Sequence, residues 1–145
     1  MLAQCRDLSQ EQLSATVHGA HGGLLDTLWH VIRGEGNYLT RITGAAKESW
    51  TRAEAAPPIA EVDARAAEVA GRWERLLQED LDPDRGLEVP WEDDTVRLVP
   101  VGVLIAQALN HGNVHREQAC SILTSLGREA PDIQAWAYAE ATGRA

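Results

Sequence analysis

His111 and His115 stand four positions apart in the stretch NHGNVHREQ, and a helix through them would stack both imidazoles on one face. Projected at about 100° per residue, Leu104, Ala108, His111, His115, Ile122 and Leu126 fall within one narrow sector. The histidines therefore occupy a seam where a core would place leucine. A cationic imidazole is costly to bury there, whereas a neutral one is satisfied by a metal ion or a hydrogen bond. The pair reads as two ligands of one divalent metal, with a hydrogen-bonded core pair as the competing reading. It is not the zincin motif, which needs Glu directly after the first His as general base; Gly112 stands in that place.

Two imidazoles rarely hold a catalytic metal, so a third donor is required. His30, His18, His21 and Glu35 are the candidates. His30 lies in a predicted helix but off its main apolar stripe, on a face with Gly23, Thr27 and Gly34. Small residues there would let another helix, or a substrate, approach closely; the pattern alone equally describes a partly exposed helix histidine. His18 and His21 sit among Gly19, Gly22 and Gly23 and read as surface residues. Trp29, Trp73 and Trp136 read as core or helix-contact residues. Arg116 pairs with Glu35 or another acid, or reaches solvent, while Asp26 and Glu48 have no partner that the sequence identifies. There is no Gly-rich phosphate loop, no G-x-S-x-G and no Cys-His nucleophile pair.

These residues need helices to position them. Ser9 and Gln12 form an S-x-x-Q capping box, predicting a short helix near residue 10. The first long helix is expected from Leu24 to Thr43, stopped by Gly44, with Leu25, Leu28, Ile32, Leu39 and Ile42 as its stripe and Glu35 interrupting it. Residues 45–58 read as a connection. A second long helix carries Ile59, Val62, Ala66, Val69, Trp73 and Leu76 in an a/d pattern, ending at Pro83. Between residues 87 and 99, Leu87, Val89, Trp91, Val96 and Leu98 alternate about Asp93-Asp94, as in a small hairpin or extended loop. Pro100 opens a third long helix running to about Leu126, stopped by Gly127, and Ile133, Trp136 and Tyr138 of the final segment are expected to pack back on it. The fold class is all-α: most of an antiparallel helix bundle in one domain, residues 1–145.

The chain has 145 residues, enough to bury a core without staples. Its net charge of −9 and lack of a basic stripe argue against direct nucleic-acid binding. No apolar run is long enough for a membrane span and no signal peptide opens the chain, so a cytoplasmic location is expected. Cys5 and Cys120 lack a CxxC spacing and read as free, partly buried thiols.

The stretches DTLWHVIRGEGNYLTRITG and NHGNVHREQACSILTSLGREAPDIQAWAYAEATG together resemble the DinB family over nearly the whole chain. The resemblance implies a four-helix bundle whose divalent ion, usually nickel or zinc, is held by His30, His111 and His115. It is the resemblance, not the periodicity, that selects His30. Family members carry a long helix before the stretch seen here as LSQEQL, where this chain has only MLAQCRD. That departure predicts a bundle whose first helix is largely missing, an exposed apolar groove and a homodimer covering it. Related thiol-dependent transferases imply a small-molecule substrate and a low-molecular-weight thiol such as mycothiol or bacillithiol. They lead to a metal-dependent S-transferase or detoxification enzyme, with a non-catalytic metal-binding stress-response protein and a metal-dependent hydrolase as alternatives.

Overall fold

The computed structural model describes residues 1–53, 55–91 and 93–144, leaving Glu54, Glu92 and Ala145 outside the described residues. Among the described residues, helices dominate: α1 (Leu2–Cys5), α2 (Gln10–Leu13), α3 (Leu24–Thr43), α4 (Ile59–Leu76), α5 (Val101–Ser125) and α6 (Ala135–Ala141). A 3-10 turn, Ser49–Arg52, lies between α3 and α4, and the strands β1 (Gly86–Pro90) and β2 (Val96–Pro100) separate α4 from α5.

Local chemistry fixes the helix ends. Ser9 Oγ accepts from Gln12 N at 3.2 Å while Gln12 Oε1 accepts from Ser9 N at 2.9 Å, the reciprocal box that starts α2. Gly44 ends α3 at φ 70°, a left-handed conformation that glycine adopts without strain, and returns its N–H to Thr40 O. At the end of α5, Arg128 N reaches back to Leu123 O at 3.0 Å around Gly127. The first N–H groups of α5 have no partners within the helix. Instead Val101 N donates to Arg85 O at 3.0 Å and Gly102 N to Pro83 O at 2.8 Å, so the segment before β1 caps the helix.

α3 is the central element, packing against both α4 and α5, whereas α4 and α5 make no comparable interface with each other. Its predicted stripe, Leu25, Leu28, Ile32, Leu39 and Ile42, is buried throughout. Val62, Val69 and Leu76 of α4 and Leu104, Ile122 and Leu123 of α5 close the core around it. The connection crosses the back of α3: Trp29 Nε1 donates to Ala53 O at 2.9 Å, and Gly36 leaves room for the Trp50 ring. Glu48, for which the sequence offered no partner, pairs with Arg72 and accepts from Trp50 Nε1.

Three helices are long among the described residues, as the sequence predicts, and what precedes LSQEQL is the single turn α1. Other expectations need correction. α4 ends at Leu76 rather than at Pro83. Glu79 and Asp80 follow within four residues, and carboxylates disfavour the negative C-terminal end of a helix dipole. The hairpin forms, but its register sets Leu98 opposite Glu88 and Val96 opposite Pro90. Val89 is therefore buried, while Val96 and Leu98 lie on the outer face in solvent. Trp136 and Tyr138 do not pack back: they are 76% and 57% exposed, and α6 buries none of its residues. A cleft does open between α4 and α5, lined by Trp73, Leu77, Ile105, Ala108 and Leu109.

Ile122→Ala, at a fully buried α5 position, should destabilise the chain by ~2–5 kcal/mol. Trp136→Ala should change stability by about 0.5 kcal/mol or less. Urea unfolding of both variants checks the two values together.

Candidate metal centre

The α3 face that meets α5 carries Thr27, His30, Gly34 and Asn37 at helical spacing. Gly34 decides how near α5 can come, since a Cβ there would lie 2.6 Å from His111 Cε1. The glycine thus opens the space that the His111 ring fills. With the helices in this register, His30, His111 and His115 present nitrogens that all lie within 4.8 Å of one another. His30 Nε2 and His111 Nε2 are 2.9 Å apart. Ring centroids are 4.8 Å apart for His30–His111, 4.5 Å for His30–His115 and 4.7 Å for His111–His115. All three side chains are half-buried.

The electrostatics favour the neutral form of His30 and His111. Burial, with the other histidines of the cluster and Arg33 adding to it, pushes the His30 pKa down to about 4. Burial likewise lowers that of His111, helped by His115, His21 and Arg116. Neutral imidazoles keep a lone pair for a cation, and three nitrogens converging from two helices suit one. The nearest carboxylate candidate is Glu35, but it pairs with Arg116 and is not part of the group. Buried Thr27 Oγ1, Asn37 Oδ1 and His111 Nδ1 have no hydrogen-bond partner among the described residues. They leave the seam with polar capacity unused, which fits a group made to bind something.

Of the four candidates for a third donor, only His30 joins His111 and His115. His18 is exposed in the loop and outside the group. His21 is also exposed, yet its ring stacks on His30 with centroids 3.8 Å apart and planes 24° from parallel. Its role as a roof over His30 went unread because a Gly-rich loop has no period to project. Gln118 was missed as well. It touches His115 Nδ1 through Oε1 at 2.8 Å, and its place three residues after His115 on a helix was the signal that could have revealed it.

The model of the DinB family matches residues 1–145, the whole chain. The chain belongs to the DinB family. No match to it is found among curated proteins. For this DinB-family chain, membership and the three-histidine group agree: the group could bind a metal ion. No helix of the described residues is long and apolar enough to cross a membrane.

The low His30 pKa has a consequence for stability. The unfolded chain protonates this residue near 6.5, the folded chain only near about 4. Between those values the unfolded state holds more protons, so stability falls as pH falls. The urea midpoint of the metal-free protein should therefore drop from pH 7 to pH 5. The drop should be smaller in His30→Gln, which has no proton to gain; equal slopes would contradict it.

Proposed function

We propose that this DinB-family chain is a metal-dependent S-transferase or detoxification enzyme in which His30, His111 and His115 hold one divalent ion. The observation that carries the reading is the convergence of three imidazole nitrogens within 4.8 Å from two different helices. Three neutral nitrogen ligands accept nickel or zinc, the two metals the family resemblance favours. With three protein ligands a divalent cation retains an open coordination position, and it favours the anion of a thiol placed beside it.

The chain's own residues have limited but definite tasks. His30, from α3, and His111 and His115, from α5, hold the ion between rigid elements. The lowered pKa of His30 means that no proton has to be displaced from it at neutral pH. The thiol must come from outside. Cys5 and Cys120 are buried, and burial pushes both thiols above their ordinary pKa, so neither is a ready nucleophile. A low-molecular-weight thiol such as mycothiol or bacillithiol fits that requirement, in a cytoplasmic setting where such thiols are kept reduced. The hydrolase reading is weaker, because the carboxylate it would use, Glu35, is committed to Arg116.

His111→Ala should abolish stoichiometric binding of zinc or nickel, measured by elemental analysis after dialysis; full occupancy would remove the assignment. Gly34→Ala should weaken binding while leaving the helical circular dichroism intact, because its Cβ displaces the His111 ring. For the chemistry, metal-loaded protein is incubated with monochlorobimane and each of several thiols. A rate above that of the metal-free protein is expected with at least one thiol, and none with any of them would refute transferase activity.

A further inference from the structure

One side chain joins the histidine cluster to the loop above it. Gln118 Oε1 lies 2.8 Å from His115 Nδ1 and 3.1 Å from the backbone N of His21. Gln118 Nε2 donates to the carbonyl of Gly19 at 3.1 Å. The two backbone contacts settle which end of the amide is which. Turned over, the NH2 group would face the N–H of His21, and the amide oxygen would face the Gly19 carbonyl. Oxygen therefore sits toward His115, and an amide oxygen can only accept. In its neutral form His115 must then carry its proton on Nδ1, leaving Nε2 with the lone pair.

The same amide holds the loop. Residues 15–24 are closed at the base by the chain's own bonds: Leu24 N to Ala15 O at 2.9 Å and Thr16 Oγ1 to Gly22 O at 2.8 Å. At the tip, the hydrogen bonds to α5 among the described residues are the two made by Gln118. Gly19 adopts φ +86°, which turns its carbonyl toward that amide in a conformation side-chain-bearing residues rarely take. So held, the loop lays the His21 ring on His30.

We propose that Gln118 is a positioning residue with two linked tasks: it fixes His115 as an Nε2 donor and pins the Gly19–His21 tip over the triad. The claim about metal affinity rests on the triad holding an ion; the claims about tautomer and loop do not. Ligand orientation by a second hydrogen bond of this kind is worth about 10–100-fold in affinity.

The test uses the full chain, metal-free and then titrated with zinc. In the metal-free wild type at pH 7.5, long-range proton–nitrogen NMR should find the His115 proton on Nδ1, with the His21 amide slow to exchange. Gln118→Leu should return His115 to a tautomer mixture, speed exchange of the His21 amide at least tenfold and weaken zinc binding by about 10–100-fold. Gln118→Glu keeps the acceptor but cannot donate to Gly19. It should keep the proton on Nδ1 yet speed exchange at the tip, and it decides the question alone if the leucine variant does not fold. A Nδ1–H tautomer and a slow His21 amide that both survive Gln118→Leu would overturn the proposal. So would a glutamate variant that loses the Nδ1–H tautomer or leaves the tip unchanged. Failure of the wild type to bind zinc would strike the triad instead, while the tautomer measurement still judged Gln118.

Discussion

The contact between Gly34 of α3 and the His111 ring of α5 sets the distance between the two helices on which the rest depends. A methyl group at position 34 would lie 2.6 Å from the ring, so the His111 ring can hold this position against α3 only beside glycine. That placement brings His30 Nε2 to 2.9 Å from His111 Nε2. It also places His115 one turn further along α5, within reach of the same point. The ends of α5 serve this contact: backbone carbonyls of Pro83 and Arg85 hold the first turn and Gly127 closes the last. A shift of α5 by one residue would turn the histidines by about 100° out of the seam.

The seam has two unlike sides. His30 and His115 meet His21 of the loop of residues 15–24, whereas Arg116 lines the cleft with Trp73 and Leu77. Arg116 pairs across the seam with Glu35, which neutralises the charge that interrupts the α3 stripe. This pairing keeps a carboxylate out of the imidazole cluster, so the three rings remain an all-nitrogen set. In a chain of net charge −9, that exclusion is a local arrangement rather than a consequence of composition. An all-imidazole site also carries no carboxylate charge of its own.

The parts of the fold that were legible in the sequence have one-dimensional signals. The bounds of α3 follow from apolar spacing and Gly44, α2 from its capping box, and α5 from Pro100 and Gly127. His111 and His115 share a face because helical periodicity requires it. The partnership with His30 was not legible from period, because it depends on the register between two helices; only family resemblance pointed there. The end of α4 was misplaced because proline was weighted above the acidic residues before it. Trp136 was expected inside because aromatic size favours burial, but nothing in a pattern shows whether a short terminal helix has a surface to meet. Which hairpin face turns inward was equally hidden, since it depends on pairing register rather than on alternation.

The two-sidedness of the seam also bears on how a small molecule would reach the histidines. The cleft between α4 and α5 is apolar, but none of the histidines lines it, and the Glu35–Arg116 pair stands at its wall. A ligand seated in that cleft would meet the pair before any imidazole. On the opposite side the cover is thin: exposed His21 lies directly on His30, carried by a loop whose base is closed within itself. Opening at the tip costs the two hydrogen bonds of one glutamine, whereas opening through the cleft means breaking an ion pair and parting packed helices. Local unfolding follows the weaker attachment. The loop side is therefore the more weakly closed side of the histidine cluster.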